Sequence, residues 1–216
     1  MNNYISLNSD AYQKSAKEFE QKISLRKVTD EKLVPKLAKY FEGKFNPAKM
    51  LELGPGSGYI AKLFSDRGHQ VDAIEFSLNM SEVVKRTAPK VSVIVDEFLE
   101  HDFKTNSYDV ILGIAFIHLF PSEDAQKVIN KINKLLKRKG MLIISSTLHD
   151  EVDEGFIQKS NFSSRPIRYR KKYSREALND LVKHGGFKIL DSFINQDSEG
   201  IKDKIWLTLV AEKNNG

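Results

Sequence analysis

Five short apolar runs alternate with helical stretches through the middle of the chain, and no other feature restricts the fold as strongly. The runs fall at 50–53, 71–75, 91–95, 108–114 and 141–146. Between them helices are expected at about 59–66, 78–87 and 123–138. The last has Val128, Ile132, Leu135 and Leu136 on one stripe, Pro121 and Ser122 before it and Gly140 after it. Strands that read as nearly continuous apolar segments are covered on both faces, as in a parallel sheet flanked by helices.

The ends of the chain read differently. A helix at 174–183 is closed by Gly185 and Gly186, and two strand-like runs follow at 187–194 and 204–211, joined by the polar segment 195–200. Two strands without a crossover helix pair antiparallel if they pair at all. The fold class is therefore α/β, Rossmann-like: a mostly parallel seven-stranded sheet with a C-terminal antiparallel hairpin. Ahead of the sheet, Ala11, Ala16, Phe19 and Ile23 mark one helix over 10–24. Leu33, Val34, Leu37 and Phe41 mark a second over about 30–41, with Thr29 or Asp30 as N-cap. Together, residues 1–45 form an N-terminal helical cap. Residues 147–173 follow no regular period, acidic at Asp150, Glu151, Asp153 and Glu154 and basic from Arg165 to Lys172. A long irregular insertion of this kind reads as a lid or mobile loop. At 216 residues the chain is expected to be a single domain over 1–216.

Composition narrows the function classes. With no cysteine, disulfides, thiolate zinc sites and cysteine nucleophiles are excluded, and a reducing cytoplasm suits the chain. No apolar run approaches the roughly 20 residues of a membrane span, and residues 1–10 lack the apolar stretch of a signal peptide. The net charge of +5 admits RNA or an anionic small molecule as partner. Much of it lies on lysines at helical spacing (Lys127, Lys131, Lys134), which reads as a solvated face.

The chemistry is concentrated after the first run, in Leu51-Glu52-Leu53-Gly54-Pro55-Gly56-Ser57-Gly58. Glycines between a strand and a helix let the backbone turn tightly and let a ligand approach without a Cβ in the way. The following helix turns its positive end to the same point. The next strand ends in Glu75, 21 residues after Gly54, where a carboxylate can accept both hydroxyls of a ribose. A dinucleotide loop has the spacing G-x-G-x-x-G. Here the third glycine comes one residue early, Tyr59 takes its expected place, and Glu52 precedes the loop, all of which disfavour a nicotinamide cofactor.

On these residues the chain resembles the class I S-adenosylmethionine (SAM) dependent methyltransferases. LELGPGSG is similar to their first motif and IEFS, residues 74–77, to their second. VIVDEFLEHDF, YDVILGIAFIHLF, INKLLKRKGMLIISS and YSREALNDLVKHGGFKILDSF resemble later family segments in order, and the last two, with KIWLTLVAEK, resemble the bacterial small-molecule branch. The resemblance implies SAM as cofactor, with Gly54, Gly56 and Gly58 at its amino-acid end, Glu75 on the ribose and Glu52 also a cofactor-binding residue. Phe76 lies along the adenine, Asp96 or Glu97 meets the adenine amine with Asp96 favoured, and Phe98 flanks the ring. Gly113 and Ile114 end the fourth strand, where open α/β sheets bind ligands. His118 follows within one turn and is the candidate general base. His69, His101, His149 and His184 read as structural. Tyr12 and Phe19 resemble residues that cover the cofactor. Arg165, Arg168, Tyr169 and Arg170 are the candidate acceptor contacts, because a guanidinium fork matches a carboxylate or phosphate. No metal site is expected. The implied activity is methyl transfer to an O, N or S atom of a small molecule by a monomer or homodimer. An RNA or protein methyltransferase would instead need a continuous basic face with exposed aromatics. A non-catalytic SAM-binding protein would need a damaged loop or ribose acid.

Overall fold

The computed structural model describes residues 3–158, 163–197 and 204–214. Its elements run α1 (Asn3–Gln21), α2 (Ile23–Ala38), β1 (Lys49–Leu53), α3 (Tyr59–Asp66), β2 (Gln70–Glu75), α4 (Leu78–Thr87), β3 (Ser92–Val95), β4 (Tyr108–Ile114), a single 3-10 turn (Ile117–Leu119), α5 (Ser122–Leu135), β5 (Leu136–Thr147), β6 (Asp153–Gln158), β7 (Ile167–Lys172), α6 (Arg175–His184), β8 (Phe187–Gln196) and β9 (Ile205–Lys213). Seven strands form one sheet in the order β3-β2-β1-β4-β5-β9-β8. The first five are parallel to their neighbours, and β9 runs antiparallel to both β5 and β8. This is the α/β sheet with a terminal hairpin that the apolar pattern implies.

Alternate residues of each central strand feed opposite sides of the sheet. Ile111, Leu142 and Ile144 pack with Ile129, Ile132 and Leu178 beneath α5 and α6. Val110, Leu112, Met141 and Ile143 pack with Leu37, Phe41 and Phe64 beneath α2 and α3. All of these are fully or almost fully buried, each contributing about 1.5–3 kcal/mol. This two-sided burial is why the central strands read as continuous apolar runs.

Three local expectations are corrected. The second helix begins at Ile23, so Thr29 and Asp30 lie inside it and cap nothing. Its C-terminal half is buried at Val34, Leu37 and Ala38, and no side chain caps its start. Helix α5 stops at Leu135, and 136–138 belong to β5, where Leu136 pairs with Tyr108. Finally, 147–173 is not irregular. Within it β6 and β7 form an antiparallel ribbon with Asp153 opposite Lys172 and Gln158 opposite Ile167. Its acidic and basic halves hid the period, since charges occupy both faces of each strand.

Strand order reverses between β1 and β4, and the glycine loop leaves β1 at that switch point. Open α/β sheets bind ligands there, outside the carboxyl ends of the strands. Helices α1 and α2 and the β6–β7 ribbon cover the same edge and turn it into a cleft of about 530 Å³.

Candidate active site

The three glycines serve different ends. All have positive φ, at 58°, 57° and 77° for Gly54, Gly56 and Gly58, a region that costs other residues roughly 1–2 kcal/mol. At Gly54 a Cβ would sit 2.9 Å from the Phe116 ring, and at Gly58 it would sit 2.9 Å from Val84 on α4. At Gly56 a Cβ would meet nothing within 4 Å, so this is the glycine with open space above it. Gly54, Pro55, Gly56 and Ser57 line the cleft. Gly58 instead starts α3 and lets it pack on α4.

Around this loop the cleft is lined by carboxylates. Glu52 projects from β1, almost wholly buried, with no hydrogen-bond partner for Oε2 among the described residues. Burial, reinforced by Asp30, pushes it up to about 8. Asp30 itself is pushed up to about 6 by burial. Glu75 ends β2; its Oε1 accepts from the Ser77 N–H at 2.9 Å, and burial pushes it up to about 7. Ser77 caps α4 and also binds Gln13 of α1 at 2.9 Å, which ties the cover to the floor. Phe76 meets Tyr12 edge-on with ring centres 6.2 Å apart. After β3, Asp96 is held by the Glu97 N–H (2.8 Å) and His101 Nδ1 (2.9 Å), which lower its pKa. Glu97 is partly buried, and burial raises it. Both acids face the cleft, with Phe98 beside them.

The opposite end is cationic. In β7 the period of two sorts the basic residues. Arg168, Arg170 and Lys172 face the cleft, while Tyr169 points away to Tyr4 and Phe156, 5.7 and 5.6 Å off. Arg168 donates to the Tyr12 hydroxyl at 2.9 Å. Arg170 donates to Thr147 Oγ1 at 2.8 Å and lies 3.4 Å from His118 Nε2. A guanidinium only donates, so this contact leaves the lone pair on Nε2 and the imidazole proton on Nδ1. His118 is buried, with the Trp206 ring 5.9 Å away. His149 binds Thr147 Oγ1 at 2.9 Å, and burial, then Arg170 and Lys172, lower its pKa.

Of the residues singled out from sequence, Glu52, Gly54, Gly56, Glu75, Phe76, Asp96, Glu97, Phe98, Ile114, His118, Tyr12 and Arg168 line one cleft. Gly58, Gly113, Arg165 and Tyr169 do not. Gly113 lies in the core against Ile144, and Arg165 is an exposed loop residue with φ 40°. Asp30, Thr147, His149, Asp197, Lys204 and Trp206 line the cleft and were missed as site residues, while Ala115, expected with Ile114 at the end of the fourth strand, lines it too. Two of them carried a signal. Trp206 is the chain's only tryptophan, and Thr147 ends a parallel strand beside it, its register partner being Trp206. Ala115, a non-glycine at φ 59°, sits just past β4, its N–H bound to Ser145 Oγ at 3.0 Å.

The residues present fit SAM. A buried carboxylate with an unfilled acceptor matches an ammonium, an acid at the end of β2 matches a ribose diol, and the open side of Gly56 admits the chain between them.

Comparison with known proteins agrees. Residues 51–144 match the family model described as Methyltransferase domain. An uncharacterized methyltransferase of Oceanobacillus iheyensis is 24% identical over 157 residues, covering 68% of this chain and 74% of that one. The demethylmenaquinone methyltransferase of Paenarthrobacter aurescens is 31% identical over 107 residues, 48% of this chain and 40% of that one. In fold, the chain is similar to the crystal structure of Burkholderia thailandensis 1,6-didemethyltoxoflavin-N1-methyltransferase with bound 1,6-didemethyltoxoflavin and S-adenosylhomocysteine. That likeness has a TM-score of 0.74 at 18% identity and covers 98% and 89% of the two chains. The glycine loop, Glu52 in β1, Glu75 at the end of β2, the acids after β3, the sheet order and these matches together support a class I SAM-dependent methyltransferase, with residues 51–144 as its methyltransferase domain.

Proposed function

We propose that this chain transfers the SAM methyl group to an O, N or S atom of a small-molecule acceptor seated between β7, β5 and β9. The observation that carries the reading is the roof. Asn8 Oδ1 accepts the Tyr169 N–H at 2.8 Å, and Tyr12 accepts from Arg168 at 2.9 Å, so α1 and the ribbon are joined across the cleft. The volume enclosed, about 530 Å³, lies within the roughly 300–1,000 Å³ of small-ligand sites. A folded polymer would have to break these contacts to present its target. Two small acceptors point the same way: the Paenarthrobacter relative is named for demethylmenaquinone, and the Burkholderia structure holds 1,6-didemethyltoxoflavin.

When bound, SAM supplies a methyl carbon already activated by its sulfonium. The chain's own work is then alignment and exclusion of water, and holding two reactants in line is worth roughly 7–11 kcal/mol. Gly54 and Gly56 cradle the amino-acid end, Glu52 takes the ammonium, Glu75 takes the ribose hydroxyls, and Glu97 or Asp96 meets the adenine amine. His118 lines the cleft beside Arg170, and it takes a proton at Nε2 from an acceptor hydroxyl or amine once that acceptor has drawn the Arg170 guanidinium away. The test is to incubate the protein with methyl-labelled SAM and, separately, a pool of metabolites, bulk RNA and bulk protein. Label is expected in the small-molecule fraction, and label confined to RNA or protein would sink the proposal.

A further inference from the structure

The cationic end of the cleft carries two guanidiniums that no carboxylate of the described residues pairs. Arg168 is 8% exposed, and its Nε has no partner among the described residues. Its one recorded hydrogen bond goes to a neutral group, the Tyr12 hydroxyl. Arg170 meets Thr147 Oγ1 and His118 Nε2. Among the described residues neither guanidinium has a carboxylate within ion-pair distance. The acid that lines this end, Asp197, is engaged by Lys204 Nζ at 2.6 Å and Trp206 Nε1 at 2.9 Å. Burial, together with Arg168, drives Arg170 down to about 10. Arg168 is buried and Arg170 partly buried, with Asp197 the one acid whose charge acts on Arg170, and a desolvated cation without a direct ion pair is costly. Proteins resolve such a cost with an anion, and a guanidinium fork binds an oxyanion through two parallel N–H groups.

Resting on the small-molecule reading above, we infer that the methyl acceptor carries an oxyanion group, a carboxylate or a phosphate, and that Arg168 and Arg170 hold it at the roof of the cleft. The strand period supports this. Residues 168, 170 and 172 share one face of β7; Lys172 is paired with Asp153 at 2.8 Å, so the fold leaves Arg168 and Arg170 to face the ligand and turns Tyr169 away. Thr147 and Tyr12 brace the two guanidiniums from either side, which limits the rotamer freedom lost on binding.

The experiment is thermal denaturation with S-adenosylhomocysteine (SAH) present at saturation and ionic strength held constant with sodium chloride. Sodium phosphate, sodium benzoate and, as a cation control, tetramethylammonium chloride are titrated in turn. One of the two anions is expected to raise the melting temperature saturably, and the cation is not. Response to phosphate assigns a phosphorylated acceptor, and response to benzoate a carboxylated one. In Arg168→Gln and Arg170→Gln the anion response is expected to fall by at least tenfold in midpoint concentration. SAH affinity by calorimetry should stay within a factor of about two in both, which also establishes that the variants fold. If neither anion shifts the wild type, or the response survives both substitutions, the clamp is overturned while the methyltransferase assignment stands. If SAH fails to bind the wild type, the assignment falls and the clamp with it.

Discussion

The two ends of the cleft differ in charge, in origin and in how they were built. The glycine-loop end is acidic and comes mainly from residues 52–98, the ends of β1 and β2 and the turns after β1, β2 and β3, with Asp30 of α2 beside them. The acceptor end is basic and draws Thr147 from β5, Arg168 and Arg170 from β7, Trp206 from β9 and His118 from the turn after β4. Burial pushes the acids up, Glu52 to about 8 and Glu75 to about 7, and pushes Arg170 down to about 10. Burial therefore favours the neutral form of both acids, while Arg170 keeps its charge at neutral pH. The proposed donor and acceptor would meet this contrast, acidic toward the glycine loop and basic toward β7.

The comparison breaks first at the cofactor end. Glu75→Ala is expected to weaken SAM binding by more than tenfold, about 1.4 kcal/mol or more, and calorimetry that finds the affinity unchanged would remove its ribose role. Next come the glycines. Gly58→Ala and Gly56→Ala each carry about 1–2 kcal/mol of left-handed backbone strain. Gly58→Ala adds a clash with Val84, so its melting temperature should drop further. A chain of this size loses about 2–4 °C for each kcal/mol. Gly56→Ala should lose SAM affinity beyond its stability loss, because its Cβ enters the ligand side. Equal behaviour of the two variants would refute the division of roles.

The pH dependence sharpens the charge argument. The folded values of Glu52 and Glu75 lie above the ordinary 4.5, so the folded chain keeps protons that the unfolded chain has released. Their contribution to stability is fully present below about pH 4.5 and is lost as pH rises through about 7 and 8. Ligand-free protein should therefore melt lower at pH 8.5 than at pH 5.5, from these two groups. Glu52→Gln should flatten that slope and melt above the wild type at pH 8.5 while binding SAM less well. A slope unaltered by the substitution would show that Glu52 is not the group responsible. The smallest effect is at the roof. Tyr12→Phe removes one hydrogen bond to Arg168, worth about 0.5–1.5 kcal/mol, and should raise the KM for the acceptor while leaving the SAM Kd alone.

Legibility in the sequence followed the same division. The cofactor end could be read because its residues are consecutive. A strand, three glycines with positive φ and an acid closing the next strand sit within one βαβ unit, and backbone geometry dictates residue type at each place. The roles of Gly56 and Gly58 could not be separated, since what each faces, open space or Val84, depends on α4 docking. Helix α2 was misplaced at its start because no cap marks it and burial of Val34, Leu37 and Ala38 sets its course. The ribbon was missed because both of its faces carry charge, which erases the apolar alternation that reveals a strand.

By itself the sequence determined the α/β class, the antiparallel finish, the glycine loop and its ribose acid, all of which rest on local periodicity and on the steric needs of the backbone. Tertiary structure decided the rest. Only folding brings Asp30 beside Glu52 and sets Thr147 against Trp206. Only the pleat of β7 sorts Arg168 and Arg170 from Tyr169, because successive strand residues point to opposite faces and which face meets the cleft depends on the partner strand.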